Sequence, residues 1–350
     1  MKTAVMNILQ KAIEEENLPG ALISISENGQ LLLRESFGNR TVFPVKESMD
    51  MNTVFDLASL TKVVATLPAL LLLMDQKQIH LEDKVARFIP EFSWNGKESV
   101  TIEHLLTHTS GLPAFKPFFK EQLNKEEVIH SICHSAIESP VGKQVIYSDL
   151  GFIMLSAIVE QATGQSFEYF VENEIFTALG MNETCFNPDF PLNRYAATEF
   201  DAAAKTYKRG IVHDENAETM GGISGHAGLF STCADLEKFA SMIENNGTIN
   251  HKQFISSEII ELSRKNFTQN DRLSRGLGWE LNVHSDCSCG AFFSKKAYGH
   301  TGFTGTSIWF DPKQKIHIIL LTNYVHYGRN PIWINSMREA IHTASIVSNK

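Results

Sequence analysis

FDLASLTKVVATLPALLLLM, residues 55–74, runs from a polar turn into a strongly apolar stretch. Within it Ser59 stands three residues before Lys62. On a helix, residues i and i+3 share a face, so the hydroxyl and the amine become neighbours. A serine hydroxyl is a weak nucleophile and needs a nearby base, a task that a lysine stripped of its proton by burial can perform. Val63, Val64, Leu67, Leu70 and Leu71 supply that burial. At the start of the helix, the Ser59 backbone N–H also sits where negative charge is stabilised. No other serine in the chain has a lysine three residues on. The apolar run from Val63 to Met74 is interrupted by Thr66 and Pro68 and falls short of the ~20 residues that span a bilayer. It predicts a buried helix.

Further out, the pattern becomes β at both ends of the chain. Residues 20–26 and 30–37 alternate apolar with small or polar around Glu27-Asn28-Gly29, and Asn-Gly between such runs predicts a hairpin. Near the other end, 276–282, 297–301, 306–310 and 316–322 read as strands, with a turn at Asp311-Pro312-Lys313-Gln314. Residues 2–17 and 329–345 read as amphipathic helices. Helical patterns fill the middle, and another follows at 230–246 with Ser231 or Thr232 placed to cap it. The simplest architecture is α+β: an antiparallel sheet built from both chain ends, flanked by helices, beside an all-helical sub-domain. The α/β part is expected over about 1–75 and 225–350, and the helical part over about 76–224, within a single domain.

Two further motifs carry chemistry. Tyr147-Ser148-Asp149 precedes GFIMLSAIVEQATG, which reads as a buried helix, so Tyr147 sits at its mouth. A phenol there can relay the serine proton when a cation stabilises its anion. His300-Thr301-Gly302 lies on a predicted strand whose small residues let a substrate backbone lie alongside. Thr301 can hydrogen-bond substrate, and the N–H of Phe303 can pair with that of Ser59 as an oxyanion hole.

Other residues have competing readings. Phe115, Phe118 and Phe119 line a cleft or form a satellite apolar cluster. His213, Asp214, Glu215 and His226 more readily brace the glycine-rich loop around them than bind substrate or metal. His104 and His108 lack a third zincin-type ligand and read as structural. The five cysteines are scattered and suggest no disulfide framework. The group His284, Asp286, Cys287 and Cys289 has neither the spacing of a zinc knuckle nor a second pair to match it. No metal and no cofactor are expected.

The bulk numbers narrow the class. Hydrophobic residues make up 43% and charged residues 20%, an ordinary globular balance. With 31 basic against 40 acidic residues the net charge is −9, and no basic run offers a nucleic-acid surface. The partner expected is a small-molecule or peptide substrate. The N-terminal MKTAVMNILQKAIEEE lacks the apolar core and cleavage site of a signal peptide. A cytoplasmic chain is the default expectation, and an extracytoplasmic one if a leading segment has been removed.

Taken in order, Ser59-x-x-Lys62, Tyr147-Ser148-Asp149 and His300-Thr301-Gly302 resemble the motifs of the serine beta-lactamase and penicillin-binding-protein superfamily. The tyrosine and histidine forms are similar to its class C-like branch of esterases, D-amino-acid peptidases and penicillin-binding-like hydrolases. LLTHTSGLP at 105–113, LGM at 179–181 and GHAGLFSTCADLEKF at 225–239 extend the likeness over roughly 15–345. The run at 210–232 is similar to a subgroup with N-acetylmuramoyl-L-alanine amidases among its members. The resemblance implies a beta-lactamase-like fold and a serine hydrolase acting through an acyl-enzyme on Ser59, with Lys62 and Tyr147 catalytic and Asp149, His300, Thr301, Gly302 and Phe303 at the substrate. An amide or ester substrate is implied, cell-wall peptides and muropeptides among them. The alternative is a penicillin-recognising sensor that acylates with little turnover.

Two departures shape the substrate expectation. Asp149 replaces an asparagine and favours a charged Lys62. His300 replaces a lysine and holds a substrate carboxylate less firmly. Both point away from an efficient beta-lactamase and toward uncharged esters.

Overall fold

The computed structural model of the chain describes residues 1–269, 273–283 and 287–347, without the side chain of Val347. Asn28 and Gly29 both take positive φ, 53° and 74°, as a tight two-residue hairpin turn requires. They join Gly20–Glu27 to Gln30–Thr41. The C-terminal strand Ile316–Thr322 then pairs antiparallel with Gly20–Glu27, placing Ala21 opposite Thr322 and Ser26 opposite His317. Among the described residues this sheet has seven strands. Their order in space is Glu280–Leu281, Tyr298–Thr301, Ser307–Asp311, Ile316–Thr322, Gly20–Glu27, Gln30–Thr41 and Glu47–Ser48. Both chain ends thus contribute to one antiparallel sheet, as the sequence pattern predicts.

Alternation along the strands sorts side chains into two cores. Ile23, Ile25, Trp309, Ile318 and Leu320 pack with the terminal helices Lys2–Glu14 and Pro331–Val347, through Val5, Leu9, Ile334, Met337 and Ile341. Leu22, Ile308, Ile319 and Leu321 face the other way, into a larger core with Leu67, Leu70, Leu71 and Phe152. Because both faces are covered, IHIILLT at 316–322 is buried throughout. In that larger core the helix Asp149–Thr163 is buried from Leu150 to Val159 and stopped by Gly164 at φ 69°. Cys233–Glu244 starts at Thr232, whose hydroxyl accepts from Asp235 N–H.

Three details differ from the sequence expectations. The strand expected over 276–282 pairs only at Glu280–Leu281, because Gly278 turns the chain at φ 73° and donates its N–H to the Leu106 carbonyl. A small ladder of Phe55–Asp56, Leu229–Ser231 and Cys185–Phe186 interrupts the helical middle. Strands of two or three residues leave no periodic signal to read. Finally, the apolar helical run extends over Ala58–Asp75, which has the length and composition of a membrane span but lies buried in the protein's own core. Cys287 and Cys289 form a disulfide, while Cys133, Cys185 and Cys233 are free. The pair therefore offers no thiolate to a metal. His284 and Asp286, the other members of that cluster, lie outside the described residues.

Candidate active site

Ser59 stands in a single 3₁₀ turn, Ala58–Leu60, that runs into a π-helical turn at Lys62–Thr66 and then the α-helix Leu67–Asp75. In a 3₁₀ turn residues i and i+3 eclipse, so the Ser59–Lys62 spacing brings the two side chains together. Ala58 enters the turn at φ 46°, a left-handed conformation that costs an L-residue about 1–2 kcal/mol. Asp56 helps to hold it there. Its Oδ1 accepts from Ala58 N–H at 2.8 Å, and its Oδ2 accepts from His213 N–H at 2.6 Å. Burial raises this carboxyl above its usual range, against the pull of His213 and the two amides. Thr61 Oγ1 donates to the Ala58 carbonyl at 2.7 Å and accepts from Leu229 N–H at 3.2 Å. Thr304 and Thr306 donate to the carbonyls of Asp56 and Leu57, fastening this turn to the strand segment that carries the third motif.

Lys62 is fully buried, and three oxygens surround its Nζ. Ser59 Oγ is at 2.9 Å, the His226 carbonyl at 3.1 Å and Asp149 Oδ1 at 2.7 Å. Burial pulls the ammonium down, but Asp149 and Tyr147 outweigh it and hold Lys62 above the ordinary lysine value. Lys62 is therefore a cation. Burial does not strip its proton, because the Asp149 carboxylate, half-buried, lies 2.7 Å away. The departure at position 149 decides this point.

Tyr147 lies among two imidazoles and two cations. The His108 ring is 4.6 Å from it and the His300 ring 5.9 Å, centre to centre. Lys62 Nζ is 5.0 Å and Arg275 Cζ 5.5 Å from the centre of the phenol ring. Burial, reinforced by Arg275 and Lys62, pushes both histidines well below the ordinary range, so both are neutral at pH 7. Each is fixed by its backbone: His108 Nδ1 accepts from Ser148 N–H at 3.1 Å, and His300 Nδ1 donates to the Thr301 carbonyl at 2.8 Å. His108, structural by its sequence context, is thus the ring packed against Tyr147.

These groups open onto a cleft of about 320 Å³, lined by Ser59 and Tyr147, by His300, Thr301, Gly302 and Phe303, and by Arg275, Glu280, Asn335 and Arg338. Lys62 and Asp149 are not among the residues that line it and reach it through Ser59 and Tyr147. Gly302 cannot be replaced cheaply, since a Cβ there would stand 2.1 Å from Thr306 Oγ1 and 2.4 Å from the Leu57 carbonyl. Arg338 supports the same strand, donating to the carbonyls of Gly302 at 3.0 Å and Thr306 at 2.9 Å. A second cavity, about 650 Å³, lies beside Glu244, Arg264 and His317 and contains none of the motif residues.

Arg275, Glu280, Asn335, Arg338 and Asp56 were not legible as site residues. The first four belong to segments without a motif and reach the site only through folding; Asp56 stands three residues before Ser59, but its bonds to Ala58 and His213 N–H form only in the fold. The cleft is lined by two cations, Arg275 and Arg338, which the expectation of an uncharged substrate, drawn from His300 and Asp149, did not include. The glycine-rich loop braces, as expected. His226 Nε2 faces Asp214 Oδ1 at 3.0 Å and its Nδ1 faces Ser224 Oγ at 2.8 Å. Although burial opposes it, His226 holds Asp214 well below the usual carboxylate range. The His213 ring stacks on Phe303 at 5.6 Å, with its Nε2 3.1 Å from Glu199 Oε2. Phe118 joins the core, Phe119 N–H donates to Asn216 Oδ1 and Phe115 is exposed. Among the described cleft-lining residues the aromatic ones are Tyr147, Phe303 and Tyr324.

The profile of the beta-lactamase family matches residues 5–339. An Escherichia coli (strain K12) protein named "Putative D-alanyl-D-alanine carboxypeptidase" is 32% identical, over 88% of this chain and 79% of its own length. An N-acetylmuramyl-L-alanine amidase of Bacillus subtilis (strain 168) is 29% identical, over 88% of this chain and 78% of its own. Among solved structures, EstCE1, a hydrolase with promiscuous acyltransferase activity, superimposes with a TM-score of 0.78 at 21% identity, over 97% of this chain and 98% of its own.

Proposed function

The chain belongs to the beta-lactamase family of serine hydrolases, which act on amide or ester bonds, and on that premise we propose that Ser59 is its nucleophile and Tyr147 its proton carrier. The observation that carries this reading is the environment of Lys62. Its ammonium nitrogen lies 2.9 Å from Ser59 Oγ, 3.1 Å from the His226 carbonyl and 2.7 Å from Asp149 Oδ1. A lysine so committed donates to Ser59 Oγ and cannot also take its proton. In its anionic form Tyr147 takes that proton, and Lys62 and Arg275 beside the ring stabilise the anion. Ser59 Oγ bonds to the substrate carbonyl carbon, and the C=O electron pair moves onto oxygen. The N–H groups of Ser59 and Phe303 receive that oxyanion. Its collapse breaks the bond to the leaving nitrogen or oxygen, which takes the proton back from Tyr147. Water then repeats the sequence on the acyl-enzyme.

The substrate we infer is a small peptide-like amide or ester bearing a carboxylate. Arg275 offers the charge that the third motif lacks, and His300, Thr301 and Gly302 form the edge along which the scissile bond lies. A cation displaced from the strand suits an extended, flexible acid better than the compact ring system of a penicillin. Weak beta-lactamase activity follows. The relatives named for D-alanyl-D-alanine and N-acetylmuramyl-L-alanine bonds support cell-wall peptides as the class to test first. Fluorophosphonate labelling with mass mapping should place the adduct on Ser59. Steady-state kinetics should show turnover of p-nitrophenyl acetate and of a D-alanyl peptide, with nitrocefin slow. An adduct elsewhere, or efficient nitrocefin cleavage with neither of the other activities, would refute the proposal. A stable penicillin adduct without turnover of any substrate would establish the sensor reading instead.

A further inference from the structure

On the far side of the helical part, a groove of about 750 Å³ is lined by Glu91, His130 and His134, with Glu121 and Glu126 beside them. His130 and His134 are four residues apart on the helix Lys125–His134 and so project from one face. Glu91 reaches them from the 3₁₀ turn Pro90–Ser93. One nitrogen from each ring and one carboxylate oxygen lie mutually within 4.8 Å, and all three side chains are exposed. His130 Nδ1 and Glu91 Oε2 are 3.3 Å apart. Two ligands bound at about 2.0–2.1 Å to a tetrahedral ion stand about that far apart. His134 Nδ1 lies 2.8 Å from the His130 carbonyl, which can only accept. Nδ1 is therefore the donor in this contact, and Nε2 is the nitrogen left to face a ligand. The ring meets Trp94 nearly at right angles, 4.5 Å away between centres, and the His134 backbone carbonyl accepts from Asn95 Nδ2 at 2.7 Å.

From this geometry we propose a zinc-type metal site formed by His130, His134 and Glu91, with water completing the tetrahedron. The ligand set of two imidazoles and one carboxylate suits a borderline divalent ion such as Zn²⁺, and not Ca²⁺ or Mg²⁺, which require oxygen cages. Ligand atoms within 4.8 Å must close by roughly 1.5 Å to reach the separations of a tetrahedral ion. Exposed side chains make that movement by rotation. The ion's role is mechanical: it ties the turn at 90–93 to the helix at 125–134. None of its three ligands lines the cleft at Ser59.

The test is zinc titration of the untagged full chain against a chromophoric chelator, with Co²⁺ absorption as a second readout. One equivalent should bind at micromolar affinity. His130→Ala, His134→Ala and Glu91→Gln should each weaken binding at least about tenfold, since losing even a supporting group commonly costs 10–100-fold. The Co²⁺ form should show d–d bands without thiolate charge transfer, and saturating zinc should raise Tm in the wild type and not in His134→Ala. Esterase activity and the circular dichroism spectrum of the variants should match wild type, which separates ligand loss from misfolding. Absence of binding up to 1 mM zinc, unchanged affinity in both histidine variants, or thiolate bands would each overturn the proposal.

Discussion

The two walls of the cleft are built on opposite electrostatic plans. The Ser59 wall is a network of paired polar groups: Lys62 against Asp149, Asp214 against His226, and Asp56 against two backbone amides. Each group has a partner that fixes its position. The His300 wall is a neutral strand edge whose histidine is uncharged, with its cations, Arg275 and Arg338, supplied from outside the strand. Chemistry needs atoms held to fractions of an ångström, which a network of paired polar groups provides. Recognition needs an edge that a substrate can lie along and a charge placed where its anion falls. The first wall is therefore expected to control kcat and the second KM.

Substitutions on the first wall should have the largest effects. Ser59→Ala should lower kcat for p-nitrophenyl acetate by at least about 10⁴-fold while leaving the melting temperature nearly unchanged. Lys62→Ala should approach that loss, because the two groups act as a unit, but should also destabilise the fold by leaving Asp149 without its buried partner. Ester turnover near the wild-type rate in Ser59→Ala would remove the first wall's assigned role. Tyr147→Phe should cost about 10²–10⁴-fold in kcat, the range for a lost acid–base group. A loss under fivefold would show that the phenol is not the proton carrier.

Asp149→Asn tests whether the pairing sets the charge of Lys62. Asp149 holds the lysine above its ordinary value, so removing it lowers that value. Activity requires the ammonium, and the alkaline limb of the pH–rate profile should move to lower pH. A limb that stays fixed or moves upward would contradict the pairing. On the second wall, Arg275→Ala should lower the preference for carboxylate-bearing peptides over p-nitrophenyl acetate by about tenfold to a hundredfold, from a charge-assisted bond of roughly 1.5–3 kcal/mol. Arg275→Lys should recover part of it. An unchanged ratio would place the recognition charge elsewhere.

The smallest effect concerns stability. Burial holds His108 and His300 well below 6.5 and lowers His342 to about 3. Between those folded values and 6.5 the unfolded chain binds more protons than the folded one, so stability rises with pH there and falls on acidification. Melting temperature measured from pH 7.5 down to pH 5 should decline smoothly. A rise on acidification would contradict the buried neutral state of these rings.

What the sequence by itself determined rests on short separations. Ser59 and Lys62 meet because they are three residues apart on a helical turn, Asn28-Gly29 makes a hairpin because both residues accept positive φ, and alternation at 20–26 and 30–37 with the apolar run at 316–322 assigns strands to the two chain ends. These are backbone periodicities, and any chain with that local order carries them. Tertiary structure alone decided the charges. Whether Lys62 keeps its proton depends on Asp149 lying 2.7 Å away, and whether the cleft holds a cation depends on Arg275 reaching Tyr147 from a segment with no motif. Likewise His108 changes from a packing residue to the ring that positions Tyr147. A protonation state is fixed by distance and burial in three dimensions, and residue order along the chain specifies neither.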